Sequence, residues 1–226
     1  MKLERMQGVR YVSIEGLDAV GKDTHTQALS DLLVANGYNT YIAHHGYDTP
    51  YGNDIIQAVK ESHMSGDSEL ALLFTMWYLN ILMIHRNIET GYRVNKTTHR
   101  RCYGTVVIFN RYIDSTYIYQ VGMGGASPEL FHQYNREILN SFMMDYTVIL
   151  TALPETVLRR TKARPELTTL DSKEQLSTNH HEVMHELYLS HMQDRKCTFI
   201  STELPIAEVQ TSILESVLSG LKVAGV

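Results

Sequence analysis

The chain is poor in cysteine and proline, and it has no excess of basic residues. Its 226 residues include five prolines and only two cysteines, Cys102 and Cys197, which are too far apart in sequence to form a metal-ligand motif. We therefore expect two reduced thiols, as is usual in a cytoplasmic protein. The formal net charge of −5 argues against a dedicated nucleic-acid binder, because such proteins usually carry a basic surface.

The sequence also lacks an apolar run long enough to cross a membrane. The stretch 70–84 comes closest, but it is short and includes Thr75 and Asn80, so it is better interpreted as a buried helix. The first residues contain no apolar segment of the kind that a secretory signal needs. We expect a cytoplasmic protein with no membrane partner.

Short apolar and β-branched runs alternate with segments of helical period along the whole chain. This alternation predicts an α/β fold with a five-stranded parallel sheet and helices on both faces, built from residues 1–226 as one domain. Apolar residues of helical period predict a first helix that begins near Lys22. Small polar residues and prolines mark further helix starts near Ser127, Pro154 and Pro205, and Asp67 or Ser68 is expected to cap a longer helix. The predicted strands are 9–14, 38–43, 105–109, 146–151 and 197–200.

The first predicted strand runs into a glycine-rich loop and then into a helix. The loop, Gly16-Leu17-Asp18-Ala19-Val20-Gly21-Lys22-Asp23-Thr24, contains the G-x-x-x-x-G-K pattern in the strand–loop–helix setting that the pattern requires. Glycines allow a tight turn in which successive N–H groups point at phosphate oxygens, and the helix N-terminus adds partial positive charge. Lys22 would bridge the β- and γ-phosphates of a nucleoside triphosphate. The pattern predicts a P-loop phosphotransferase.

Asp23 occupies the position where this loop usually has serine or threonine as a magnesium ligand. A carboxylate so close to a triphosphate is repulsive unless a cation lies between them. Asp23 is therefore either a magnesium ligand or an acidic residue that complements the dipole of the helix that follows. The N–H of Thr24 belongs to the first turn of that helix and is expected to contact phosphate.

Several segments together resemble the thymidylate kinase family of P-loop nucleoside monophosphate kinases. The loop with its preceding Ile14-Glu15 is similar to the family's EGLDGAGKST. The remaining segments match the family in order and spacing. They are HHGYDTPYG at 44–52, LLF at 72–74, NRYIDSTYIYQ at 110–120, 145–160, and RRTKARPEL at 159–167.

The resemblance implies roles for individual residues. The whole loop 16–24 would bind the ATP phosphates, with Asp18 also facing the sugar of the acceptor nucleotide. Phe74 would stack on the acceptor base, and Arg111 would bind the acceptor phosphate at the end of a strand. Further lining of the nucleoside pocket would come from Ser115, Tyr119 and Gln120.

A short lid at about 160–176 is a further expectation from the resemblance. Some family members carry an arginine inside the phosphate loop at the position of Ala19, which this chain lacks. The catalytic arginine should then come from the lid, where Arg160, Lys162 and Arg164 are available. Lid closure would exclude water and suppress hydrolysis of ATP.

The chain also departs from the family pattern. Asn110 replaces the acid that precedes the arginine, which removes a charge that could organise Mg²⁺. Tyr47 and neighbouring histidines occupy positions where the family usually has arginine. Tyr78 lies four residues after Phe74, where the family has the arginine that donates to the 4-carbonyl of the pyrimidine. Either Tyr78 reads the base, or it packs in the helix layer while Asn80 or Gln120 does so.

The resemblance implies transfer of a phosphoryl group from ATP, with Mg²⁺, to a pyrimidine deoxynucleoside monophosphate, in the first place dTMP. It also implies a homodimer. Three alternatives remain open: a deoxynucleoside kinase, a kinase acting on a modified base in DNA, and a nucleotide-binding regulatory protein that has lost catalysis. The first would need a carboxylate base beside a 5′-hydroxyl, and Asp23 and Asn110 are compatible with the last.

Overall fold

The computed structural model describes residues 3–44, 49–61, 64–99, 101–163 and 178–223. The strands in these ranges are β1 (Val9–Gly16), β2 (Asn39–His44), β3 (Thr105–Asn110), β4 (Tyr146–Thr151) and β5 (Cys197–Ser201). The helices are α1 (Lys22–Ala35), α2 (Gly52–Glu61), α3 (Gly66–Thr90), α4 (Ile113–Thr116), α5 (Pro128–Glu137), α6 (Pro154–Lys162), α7 (Thr178–His191) and α8 (Ile206–Val223). A π-helical segment, Tyr117–Met123, follows α4.

All five strands are parallel, and their order in the sheet is β2-β3-β1-β4-β5. The predicted five-stranded parallel sheet is therefore confirmed. β1 lies in the centre, where Ile14 pairs with Asn110 of β3 and Gly16 pairs with Leu150 of β4. The carboxyl ends of the three strands consequently meet at one edge, which is where ligands of open α/β sheets bind.

The central strands are buried on both faces, as their nearly continuous apolar sequences predict. On one face Val12 and Ile14 pack in a core shared with α1, α7 and α8. On the other face Tyr11 packs in a core shared with α3 and α5. Alternation of side chains along each strand thus joins both helical layers to the same sheet.

Two helix starts differ from the sequence expectation. The N-cap of α3 is Ser65, whose hydroxyl accepts a hydrogen bond from the N–H of Ser68, so the prediction of Asp67 or Ser68 as the cap is wrong. Asp67 is instead a first-turn acid, and its carboxylate accepts from the N–H of Ser127 at 2.8 Å. Pro205 precedes α8, which begins at Ile206.

α3 is the one helix of the described residues that is long and apolar enough to cross a membrane by length and composition. This is weak support for a membrane span, because core helices meet the same criteria. In its most apolar window 44% of the residues are buried within the protein. Trp77 and Ile81 are among the fully buried residues. Part of α3 therefore lies in the core, and the expectation of a buried helix holds for that part.

Candidate active site

The loop between β1 and α1 depends on backbone conformations that favour glycine. Gly16 has a φ of +129°, and a Cβ atom there would lie 2.3 Å from the carbonyl oxygen of Leu150. Gly21 has a φ of 95° at the N-cap position of α1. Between them Ala19 adopts a φ of 61°, although it has a side chain. The chain therefore curls tightly around the start of α1, as a phosphate-binding loop must.

Lys22 is buried inside this curl. Its ammonium group donates hydrogen bonds to the carbonyl oxygens of Gly16 at 3.1 Å and Leu17 at 2.5 Å, and lies 3.8 Å from the Asp18 carboxylate. Burial and the nearby Arg111 charge lower the pKa of Lys22 to about 7, while Asp18 acts in the opposite direction. An anion bound in the loop would stabilise the charged form of this lysine.

Arg111 follows β3 directly and reaches the same loop. One of its nitrogens, Nη1, donates to the Gly16 carbonyl oxygen at 3.1 Å and to the Ser115 hydroxyl at 2.9 Å. The other, Nη2, donates to Asp18 at 2.5 Å. Burial would lower the pKa of Arg111, but the Asp18 carboxylate raises it well above the usual value. Lys22 from the start of α1 and Arg111 from the end of β3 therefore converge on one carbonyl oxygen.

Asp18 joins three groups of the predicted site. It accepts from Arg111, from the Tyr119 hydroxyl at 3.2 Å, and faces Lys22. Burial would raise the pKa of Asp18, but the charges of Arg111 and Lys22 hold it well below its usual range. Burial and the Asp18 charge raise the pKa of Tyr119. Asp18 is therefore an ionised acceptor that holds Arg111 in place.

Glu15 is the central residue of this site that sequence reasoning missed. Fully buried at the end of β1, its carboxylate accepts from the Tyr112 N–H at 2.7 Å, the Ser115 hydroxyl at 2.6 Å and the Tyr188 hydroxyl at 3.2 Å. Burial and the charge of Asp114 raise the pKa of Glu15 to about 7, although the hydrogen bonds and the charge of Arg111 lower it. Glu15 thus fixes Ser115, which in turn holds Arg111.

A second buried network anchors the segment that carries Ser115 and Tyr119. Asp114 is fully buried and accepts from Arg195 at 2.7 Å and from His191 at 3.0 Å. The His191 ring stacks on Tyr117 with 3.9 Å between ring centroids. α4 and the π-helical segment are thereby attached to the end of α7, which also carries Tyr188. No local sequence pattern predicts these contacts, because they join residues about 70 positions or more apart.

Asp23 and Asn110 form a direct contact at the mouth of the loop. The Asn110 amide donates to the Asp23 carboxylate at 2.5 Å. Asp23 is exposed, whereas Asn110 is 8% exposed at the end of β3. Thr24, next to Asp23 on α1, is exposed, and Val20 is fully buried in the core beneath the loop. Two of the positions that differ from the usual pattern, 23 and 110, are therefore neighbours in space.

Phe74 lies inside the helical layer on the other face of the sheet. Its ring is fully buried and packs against Phe131, with 5.1 Å between centroids, and against Tyr134 at 5.8 Å. Tyr78, one turn further on, is half-buried beside the same core. Asn80 is fully buried, and its Oδ1 atom has no hydrogen-bond partner within the described chain. These placements match core packing for Phe74, and its role as a base platform stays a prediction.

Gln120 lies on the π-helical segment, one residue after Tyr119. The residue is half-buried, and its backbone carbonyl oxygen accepts a hydrogen bond from the N–H of Ala126 at 2.9 Å. π-Helical turns are uncommon and frequently occur at functional sites. The segment turns Tyr119 toward Asp18, while a contact of the Gln120 side chain with nucleotide stays a prediction.

On the other side of the loop, Arg160 links α6 to the end of β5. Its guanidinium donates to the hydroxyl and the carbonyl oxygen of Thr202 at 2.9 and 2.8 Å. Burial and the Arg160 charge lower the pKa of His25, a buried residue of α1 beside Gly21. Arg160 therefore flanks the phosphate loop, Lys162 is exposed at the end of α6, and Arg164 with nearly all of the expected lid lies outside the described residues.

The fold and this geometry define a class of protein. The site has a buried lysine in a glycine-bounded loop between a central parallel strand and a helix, and an arginine at the end of the adjacent strand. This combination defines a P-loop nucleotide-binding phosphotransferase. The family model described as Thymidylate kinase matches residues 14–213. The chain therefore belongs to the thymidylate kinase family, which consists of ATP-dependent nucleoside monophosphate kinases.

Individual relatives are similar over nearly their full length but at low identity. A probable thymidylate kinase of Caldivirga maquilingensis is 29% identical over 205 residues, which are 90% of this chain and 91% of that protein. The thymidylate kinase of Hahella chejuensis is 23% identical over 93% of this chain and 97% of its own. That of Buchnera aphidicola is 25% identical over 94% and 96%. The chain is a divergent member of the family.

Proposed function

We propose that the protein transfers the γ-phosphoryl group of ATP to the 5′-phosphate of a pyrimidine deoxynucleoside monophosphate, with dTMP as the main acceptor and dTDP as the product. One observation carries the proposal. Lys22 and Arg111 each donate to the Gly16 carbonyl oxygen at 3.1 Å, so a cation from the start of α1 and a cation from the end of β3 already face one point. Two phosphate groups that must meet in line need such a pair of cations between them.

The chemistry makes modest demands on proton transfer. An oxygen of the acceptor phosphate, already ionised, attacks Pγ while the bond between Pγ and the β–γ bridging oxygen breaks and ADP leaves. No general base is required. The chain contributes position and charge: loop N–H groups and Lys22 hold the donor phosphates, and Arg111 holds the acceptor phosphate.

The contacts of Arg111 suggest how the acceptor enters. Asp18 holds the guanidinium aligned, and an incoming phosphate replaces that carboxylate as its partner. Asp18 and Tyr119 are then available to the acceptor sugar. Glu15 and Ser115 keep the arginine in the same orientation throughout, because neither contact has to break. This order of contacts assigns Arg111 to the binding site of the acceptor nucleotide rather than to the binding site of ATP.

On the donor side, Arg160, Lys162 and Arg164 are proposed lid cations. The hydrogen bonds of Arg160 to Thr202 and its charge effect on His25, beside Gly21, support a role for Arg160 on the donor side. Arg164, in the lid, would act on the charge that develops on the transferred group. Ala19 leaves the loop itself without a third cation, so the lid has to supply it.

Magnesium is the proposed metal. Among the described residues, no group of three or more histidine, cysteine, aspartate or glutamate side chains could hold a metal ion. An Mg²⁺ ion carried by nucleotide phosphates needs only one or two protein oxygens, and the Asp23 carboxylate with the Asn110 amide is a donor set that fits it. When bound, the ion would neutralise charge on the triphosphate.

We further propose a homodimer in the cytoplasm that binds free nucleotides and does not act on nucleic acid. The family resemblance supports the dimer, and the acidic net charge of −5 supports the preference for free nucleotides. Light scattering at micromolar concentration measures the first, and DNA as an acceptor tests the second.

A single panel assay separates this function from its alternatives. ADP release is followed with ATP and Mg²⁺ against dTMP, dUMP, dCMP, thymidine and DNA. We expect turnover with dTMP and none with thymidine or DNA. Turnover with thymidine but not dTMP would indicate a deoxynucleoside kinase, and tight ATP binding with no acceptor used would indicate a regulatory protein.

A further inference from the structure

The two irregular positions of the phosphate site exchange their chemistry. In P-loop enzymes generally, the residue after the loop lysine is a serine or threonine that binds Mg²⁺, and a second ligand is a carboxylate on a neighbouring strand. Here the residue after Lys22 is Asp23, and the last residue of β3 is Asn110. The carboxylate is therefore present at the loop position and missing from the strand position.

The structure shows that these two positions are in contact. The Asn110 amide nitrogen donates to Asp23 Oδ1 at 2.5 Å, although the residues are 87 positions apart in sequence. In the part of the chain that the structure describes, no lysine or arginine forms an ion pair with Asp23. Its hydrogen-bond partner at the mouth of the loop is the neutral amide of Asn110.

We propose that the metal-binding carboxylate of this site has been transposed: Asp23 supplies the charged ligand of nucleotide-bound Mg²⁺, and Asn110 orients it from the strand. This inference rests on the proposed function. The side-chain N–H₂ group of Asn110 donates a hydrogen bond to Asp23 and so fixes the orientation of the carboxylate. The side-chain oxygen of Asn110 remains as a neutral ligand of the kind that Mg²⁺ binds.

Transposition differs in its consequences from a simple helix-dipole role. An acid that only stabilises the start of α1 acts whether or not metal is present and whatever residue stands at position 110. In a transposed site the two positions depend on each other. Removing the carboxylate from position 23 leaves no charged ligand, adding one at position 110 places two carboxylates in contact, and exchanging the two side chains restores one of each.

The test is the affinity for ATP, measured by calorimetry with Mg²⁺ and again with EDTA, with no acceptor present. The proteins compared are wild type, Asp23→Asn, Asn110→Asp and the double exchange Asp23→Asn/Asn110→Asp. In wild type we expect Mg²⁺ to tighten ATP binding. In Asp23→Asn that tightening should shrink by at least about tenfold, since even groups that only support a metal ligand are worth that much. The double exchange should recover most of it.

Asp31→Asn is the matched control, because it removes an exposed carboxylate from the same helix, far from the loop. It should leave the Mg²⁺ effect unchanged. Normal ATP binding with an undiminished Mg²⁺ effect in Asp23→Asn would overturn the transposition and leave the proposed function standing. A double exchange no better than Asp23→Asn would also overturn it. Failure of the wild type to bind ATP in either buffer would contradict the proposed function itself.

Discussion

At the scale of single residues, Arg111 combines an unfavourable backbone conformation with a fully engaged side chain. Its φ of 73° is uncommon for a residue with a side chain. The conformation is held by its N–H, which donates to the Ile14 carbonyl oxygen at 3.1 Å, and by the contacts of the guanidinium with Gly16, Ser115 and Asp18. Strain maintained by surrounding contacts is typical of functional positions.

Arg111→Ala should therefore raise the KM for the acceptor and lower kcat, with little change in ATP affinity. Hydrogen bonds to charged groups contribute roughly 1.5–3 kcal/mol, so kcat/KM for dTMP should fall by at least about tenfold. Steady-state kinetics and ATP calorimetry measure the two effects. Arg136→Ala, an exposed arginine on α5, is the control. Collapse of ATP affinity alone would show that Arg111 belongs to the donor site.

Glu15 gives a prediction for pH. Its pKa is raised to about 7 in the folded protein from an ordinary value near 4.5. The folded state therefore binds more protons than the unfolded state between these values, and this residue makes stability fall as pH rises through that window. The loss is complete about one pH unit above the folded-state pKa, near pH 8.

Glu15→Gln removes that titration while keeping an acceptor and the side-chain shape. The unfolding free energy of the variant minus that of wild type should therefore rise by roughly 2 kcal/mol from about pH 5 to about pH 8, because only wild type loses stability over this range. Urea unfolding at the two pH values measures this. Glu4→Gln, an exposed glutamate near the N-terminus, is the control. A difference between variant and wild type that does not change with pH would contradict the burial-driven shift.

Tyr78 gives a prediction for the base. A tyrosine hydroxyl donates or accepts, whereas arginine only donates, so the preference for a 4-carbonyl over a 4-amino group should be relaxed. We expect dUMP, 5-hydroxymethyl-dUMP or dCMP to be used alongside dTMP, and Tyr78→Arg to restore selectivity for dTMP. Comparison of kcat/KM for the four nucleotides measures this. Strict use of dTMP by both proteins would show that Tyr78 packs in the helix layer without facing the base.

At the scale of elements, local chemistry accounts for most of what the sequence predicted. All five β-branched runs form strands, and the Ser127-Pro128 start of α5 is confirmed, with the Leu130 N–H donating to the Ser127 hydroxyl at 3.1 Å. The start of α3 was placed too late, because Asp67 and Ser65 are both good capping residues and only the backbone decides between them. The π-helical segment had no signal, since its extra residue is accommodated by packing against α5 and α7.

Arg160 joins α6 to Thr202 at the end of β5, and its proposed role on the donor side predicts different effects on the two substrates. Arg160→Ala should raise the KM for ATP by about tenfold and leave the KM for dTMP nearly unchanged, because a charge-assisted contact is lost on one side only. Arg159→Ala, an exposed arginine on the same helix, is the control. An increase confined to the dTMP KM would place Arg160 on the acceptor side.

At the scale of the whole molecule, the sheet order explains how distant segments build one site. Gly16, Asn110 and Arg111 come together because β1 and β3 are adjacent parallel strands. The phosphate loop was predicted from a pattern within one segment, and the role of Arg111 was implied by the family resemblance of another. Glu15, Tyr188 and Asp114 were not predicted, because their importance arises only from burial and from contacts among β1, α4 and α7.

The central claim is that the protein transfers phosphoryl groups between nucleotides at the carboxyl edge of the sheet, where Lys22 and Arg111 hold the phosphates. The most direct measurement incubates the protein with γ-labelled ATP, Mg²⁺ and dTMP and identifies the labelled product by chromatography, in wild type and in Lys22→Ala. The account predicts labelled dTDP with an equal amount of ADP in wild type, and at least about a thirtyfold lower rate in Lys22→Ala, corresponding to ~2 kcal/mol or more for a charged phosphate contact. Absence of labelled dTDP from wild type, or its formation at the same rate by Lys22→Ala, would contradict it.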